Sequence, residues 1–161
     1  MSDVLILNLG ATIKGNCTIT GYPDRIIVSS FSHNAYLPMG SDAGNTERTM
    51  GRAVLSEMSF SKPSDLATTE IFKACTQGTK IGPATLNIGR VENGVYMNFM
   101  AYVMDNAMIS QISCSGGGGI PNDAFSINFT KIKVDFTQQK TDSSAKGTGT
   151  WNWNLETMKA D

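Results

Sequence analysis

The stretch Phe125-Ser-Ile-Asn-Phe-Thr-Lys-Ile-Lys-Val-Asp-Phe136 carries the main architectural signal of this chain. Phe125, Ile127 and Phe129 share one parity, whereas Ile132, Val134 and Phe136 share the other. Side chains alternate between the two faces of a strand. Such a slip therefore moves the apolar set across the sheet unless a bulge or bend compensates. A long strand turning a barrel corner over residues 125–138 has this pattern.

On either side lie short runs of β-type alternation, punctuated by Gly, Asn, Asp and Pro. Residues 4–9 read as a buried opening strand. Gly21-Tyr-Pro-Asp24 is turn chemistry. Residues 25–33 follow as a strand with Ile26, Val28, Ser30 and Ser32 on one face and Ile27, Ser29, Phe31 and His33 on the other. Residues 54–60, 84–91, 95–104 and 108–114 read as further strands, and 148–155 closes the chain with Trp151, Trp153 and Leu155 on one face. The period changes once. Pro63-Ser-Asp65 opens a helix of about residues 64–77, with Leu66, Ile71, Ala74 and Cys75 apolar and Gly78 ending it. The fold class is therefore mainly β: an antiparallel β-barrel or sandwich with one flanking α-helix, in a single domain spanning residues 1–161. Between 34 and 52 the alternation fades among Pro38, Gly40, Gly44 and Gly51. A loop that long in a compact domain is functional or disordered.

Composition removes several function classes. Lys plus Arg number 13 and Asp plus Glu 14, so a net charge of −1 offers no electrostatic hold on nucleic acid or an anionic membrane. Charged residues are 17% of the chain against a usual ~25%, which leaves a quiet surface suited to association. No apolar run approaches the roughly 18 residues of a membrane span, and Val4-Leu-Ile-Leu7 follows Asp3 rather than a basic segment, so neither membrane insertion nor a cleaved signal peptide is expected. Cys17, Cys75 and Cys114 form no CxxC pair and read as buried thiols.

Chemistry is sparse. His33 is the sole histidine, so a hydrolytic triad would have to be built around it, yet it sits in strand alternation and reads as a surface or interface ring. Gly116 to Gly119 lacks the Lys-Ser/Thr ending of a phosphate loop and reads as a hairpin connection. The aspartates are scattered singly, so no metal or cofactor is expected. Trp151, Trp153, Phe125, Phe129, Tyr96 and Phe99 either form core or line a cavity. The second possibility leaves a monomeric small-ligand-binding β-barrel as the alternative function, and an enzyme as a third class without a motif to support it.

The order and spacing of several segments resemble one family. They are Met58-Ser-Phe-Ser-Lys62 followed by Asp65, Ala74-Cys75 and Gly78; Ala84-Thr-Leu-Asn-Ile88 with Arg90; and Ile109-Ser-Gln-Ile-Ser113 before the glycine-rich loop. The stretch from Phe125 to Ile132, Val134-Asp-Phe136 and Trp153-Asn-Leu155 complete the set. Together they resemble the hemolysin-coregulated protein (Hcp) family, which forms the tube of bacterial type VI secretion systems. Two departures are Thr69, where the family often has a proline, and Asp123, two positions before Phe125 rather than adjacent to it.

The resemblance implies a structural subunit, not an enzyme, that forms homohexameric rings stacking into a hollow tube. It further implies spike, sheath and effector proteins as partners, and residence in the bacterial cytoplasm before secretion without a cleaved signal peptide. On that footing Ser30 and Ser32 are candidate cargo-facing residues of the lumen, with Ile27 and Phe31 packed inward on the barrel; the competing reading makes both serines ordinary solvent-facing strand residues. Pro38, Met39, Asn45 and Arg48 are candidate inter-subunit or inter-ring contacts on the 34–52 loop.

Overall fold

In the computed structural model, which describes residues 3–40, 44, 51–139 and 145–160, the phase slip marks the point where one strand becomes two. β9 (Asn122–Asn128) and β10 (Lys131–Gln139) run end to end along one neighbour, β8 (Val95–Ser115), with Phe129 and Thr130 between them. β8 makes the matching correction. Tyr102 and Met104 are buried, Asn106 adopts a left-handed φ of 55°, and Ala107 and Ile109 are buried next. Both strands thus change parity at one level, where the Thr130 N–H donates to the Asp105 carbonyl at 3.2 Å. Residues 95–104 and 108–114, expected as two strands, form one, because Asp105-Asn106 is a bulge instead of a turn. Residues 125–138, expected as one strand, form parts of two.

β9 pairs with β6 (Met58–Pro63), and β6 with β3 (Ser30–Ser32). On its other side β8 pairs with β7 (Lys80–Glu92), β7 with β1 (Val4–Asn8), and β1 with β2 (Ile26–Val28). The two ends of this path, β2 and β3, are consecutive in the chain, and Ser29 between them donates its N–H to the Ser61 carbonyl at 2.7 Å. The sheet therefore closes into an antiparallel barrel, which removes most of its edges. The expected strand over 25–33 is divided at Ser29 and its parity slips there. Ile26 and Val28 are buried and Phe31 packs on the core, but Ile27 is 38% exposed and does not pack inward as expected.

β10 leaves the barrel with β11 (Ala145–Asn154) as a hairpin wing, in which Ile132 lies opposite Trp153 and Val134 opposite Trp151. The stretch read as a loop from 34 to 52 contains β4 (Ala35–Tyr36), which pairs with β5 (Val54–Leu55) as the stem of an arm.

α1 (Ala67–Gln77) starts later than residue 64. Pro63 is the last residue of β6, and the turn that follows is set by Asp65, whose Oδ1 accepts the Ala67 N–H at 2.9 Å while its own N–H donates to Thr68 Oγ1 at 3.0 Å. Gly78, at φ 65°, ends the helix, and the N–H groups of Gly78 and Thr79 close on the Cys75 and Ala74 carbonyls. Ala67, Ile71 and Ala74 pack into the same cluster as Leu7, Leu86, Met104, Phe125 and Ile132. The antiparallel pairings place the end of β6 and the start of β7 at one mouth of the barrel. The helix crosses that mouth, and the arm leaves from the other.

Candidate functional site

Two register rows run across β3, β6, β9 and β8: Ser30, Ser61, Ala124 and Ser113 in one, and Ser32, Ser59, Ser126 and Gln111 in the next. Their strand neighbours Phe31, Met58, Phe60, Phe125 and Ile127 point into the core, so these eight side chains make up the outer surface. Ser30, Ser32, Ser113 and Gln111 are exposed, and Ser59, Ser61 and Ser126 half-buried. The hydroxyls of Ser59 and Ser126 lie 3.1 Å apart, Ser113 donates to the Ala124 carbonyl at 3.4 Å, and Ser110 hydrogen-bonds the Glu57 carboxylate at the margin. The rows themselves carry no charge. A surface of this kind offers many weak hydrogen bonds, each contributing about 0.5–1.5 kcal/mol net.

Behind this surface the same strands hold a buried ionic network. Lys62 Nζ, fully buried, donates to Asp65 Oδ1 at 2.8 Å, Asp123 Oδ2 at 2.9 Å and Thr68 Oγ1 at 3.1 Å. Asp123, also fully buried, accepts further from Ser64 at 2.8 Å and from the Thr68 hydroxyl. Burial pushes the Asp123 carboxyl up, but the hydrogen bonds from Thr68, Lys62, Ser64 and Cys114 outweigh it and bring the pKa to about 2. The network pins the helix start to β6 and β9, and sequence reasoning missed it. Its signal was available: Lys62 continues the inward parity of Met58 and Phe60, and Asp123 precedes Phe125 and Ile127 on theirs.

The candidates from sequence fall in two places. Ser30 and Ser32 lie on the barrel wall. Pro38 and Met39 lie on the arm, Met39 exposed beside Tyr36 and Leu37, at the mouth opposite the helix. Asn45 and Arg48 lie outside the described residues. The aromatic set disperses: Phe125 stacks on Phe60 at 5.2 Å, Tyr96 meets Tyr22 at 5.1 Å, and Phe99 lies under Arg90 at 5.6 Å. His33 is not a surface ring; it is half-buried against Tyr102, Phe129 and Trp151. The thiols are free, and Cys114 is exposed rather than buried. Among the described residues no helix is long and apolar enough to cross a membrane.

A closed antiparallel barrel with one helix across its mouth, an arm, and a wing whose β11 has one strand neighbour among the described residues defines a small, mainly β domain. The family model described as "Type VI secretion system effector, Hcp" matches residues 6–136, and the chain belongs to this Hcp family of type VI secretion proteins. It is 25% identical to protein Hcp1 of Pseudomonas aeruginosa over 104 residues, 63% of this chain and 64% of that protein, so the match spans just under two thirds of that relative. Its fold is similar to a solved type six secretion system protein (TM-score 0.89, 20% identity, 99% of this chain and 100% of that one). It is similar also to Hcp1 from Salmonella typhimurium (TM-score 0.80, 18% identity, all of both chains).

Proposed function

We propose that the protein, as a single domain over residues 1–161, is a structural subunit of the type VI secretion tube. Six copies close into a ring, rings stack into a hollow tube, and the tube is exported from the bacterial cytoplasm, carrying effector proteins in its lumen. It works by assembly rather than catalysis, with spike and sheath proteins as its other partners, and without a cofactor, nucleic acid or membrane insertion. The observation that carries this reading is the serine surface. An uncharged, small-side-chain polar wall suits a water-filled channel whose passengers vary, and six copies would add weak contacts by avidity.

Two further features support the reading. Among the described residues β11 has a strand neighbour on one side only, and ring closure gives such an edge a partner. Tyr36, Leu37, Met39 and Val54 are exposed on the arm, whereas Leu66 (81%) and Ile120 (75%) are exposed at the opposite mouth. Head-to-tail stacking would bring these apolar groups together, with Pro38 contributing from the arm and Asn45 and Arg48, outside the described residues, as further candidate contacts. The test is Ser32→Arg, with sizing to confirm that the ring persists. Retention of a co-expressed effector should fall; unchanged retention in an intact ring would place the cargo surface elsewhere and favour ordinary solvent-facing serines.

A further inference from the structure

Where β10 leaves the barrel, the wing and the barrel wall diverge, and His33 fills the fork. It follows β3 directly and is the last residue but one before the arm's β4. Its ring centroid lies 6.2 Å from Tyr102 on β8, 5.9 Å from Phe129 at the β9–β10 break and 6.5 Å from Trp151 on β11. Rings from three elements thus surround one imidazole. Its Nε2 is buried and has no hydrogen-bond partner among the described residues. Toward the arm it borders a shallow cleft lined by Ser32, Asn34, Ser56, Glu57 and Ser59.

The groups facing it are mostly uncharged. β8 presents the Tyr102 phenol, which burial keeps protonated; the β9–β10 break presents Phe129, and the wing presents the Trp151 indole. The arm presents Asn34, whose N–H is taken by Ser56 Oγ at 2.8 Å. The segment before β6 presents the one carboxylate, Glu57, which is engaged by Ser110. In the closed arrangement Nε2 reaches none of these groups, so an imidazolium there would carry an unpaired buried N–H.

We propose that His33 is a pH-operated wedge: neutral, it holds the Trp151 stretch of β11 against the barrel, and protonated, it leaves the fork and frees that stretch, while β10 stays paired with β8. Burial lowers its pKa from 6.5, which agrees with the geometry. In an opened form the ring meets water and takes a proton near 6.5, ahead of the closed form. Closure is thus complete above pH 6.5 and weakens as pH falls toward the lowered pKa, by about tenfold for each pH unit in that window.

Trp151 and Trp153 are the chain's two tryptophans and both lie on the wing, so indole emission, which changes when Trp151 loses its ring neighbour and meets water, reports the fork directly. Followed from pH 8 to 5, the emission should change as a single-proton titration with its midpoint below 6.5. It should stay flat in His33→Phe, which keeps an aromatic plug, and titrate as before in Glu57→Gln. As pH falls below 6.5, the amide protons of β11 should exchange increasingly faster in the parent protein than in His33→Phe. Flat parent emission, an unchanged titration in His33→Phe, a titration lost in Glu57→Gln, or equal exchange rates would overturn the proposal. Should His33→Phe fail to fold, the ring signals of the single histidine in the parent protein serve instead, and a midpoint at 6.5 or above would overturn it. The titration midpoint of the His33 ring signals is read whether or not rings form, so failure here and failure of the tube reading are distinguishable.

Discussion

On one side of the barrel Ile6 turns away from the central cluster and is nonetheless fully buried; on the other, Ser30 and Ser32 turn away from the same cluster and stay exposed. The buried side is covered by the chain itself. The segment between β1 and β2 doubles back, with Gly15 and Cys17 donating to the Asp24 and Arg25 carbonyls at 2.9 and 3.0 Å, and it buries Cys17. Its Tyr22 packs edge-on against Tyr96, whose hydroxyl donates to the Val4 carbonyl at 3.2 Å. Fit is tight: a Cβ on Gly15 would stand 2.6 Å from the Arg25 carbonyl oxygen. No segment comparable in the described residues covers the serine rows, and hydroxyls need none, since water satisfies them. A surface meant to be buried by another subunit would carry apolar or aromatic anchors. Such anchors occur on the arm and the wing, where Tyr36, Met39, Phe136 and Trp151 are exposed.

The bare side is anchored from within, so its largest sensitivity should be hidden. Asp123→Ala removes one of the two counter-charges of buried Lys62, with the acceptor of Ser64 and Thr68, and should cost about 3 kcal/mol of unfolding free energy by denaturant titration. The same group sets the acid limit. Its folded pKa of about 2 lies below the ordinary 3.8, so its contribution of about 2 kcal/mol is whole above pH 3.8 and is lost as pH falls through 2. An acid-unfolding profile of a variant with Lys62 and Asp123 both replaced by Met should lack that step. On the covered side Ile6→Ala should cost about 2–5 kcal/mol, as for a packed core residue, despite its outward direction. Ser59→Ala removes one hydroxyl contact from the bare surface and should cost no more than about 1.5 kcal/mol in the same titration. A loss at Ser59 equal to that at Ile6 would erase the contrast between the two sides.

Much of this was legible in the residues. The parity change between Phe129 and Ile132 is the place where the strand leaves the barrel, and the helix stops at Gly78 as its αL conformation requires. The slip at Ser29 was hidden because Ser30 and Ser32 continue the parity of Ile26 and Val28, and serine tolerates either face. Asp105-Asn106 looked like a turn because both residues favour turns, and only the pairing of β8 with neighbours on each side shows it to be a bulge. The serine rows needed strand neighbours that no spacing supplies: Ser32, Ser59, Ser126 and Gln111 come from four separate strands. Parity alone would have placed Ser59 and Ser126 outward, but not side by side. The Lys62–Asp123 pair was hidden in the same way, its members lying across a β6–β9 register that closes a long excursion of the chain.

The central claim is that the bare serine surface faces the channel of a closed ring, with the wing edge and arm making the contacts between copies. Native mass spectrometry of the purified protein at micromolar concentration tests it most directly. A species of six times the 17.3 kDa chain mass is expected. A monomer that keeps its β-sheet circular dichroism under those conditions would contradict it, and would leave the serine surface as an ordinary wet face.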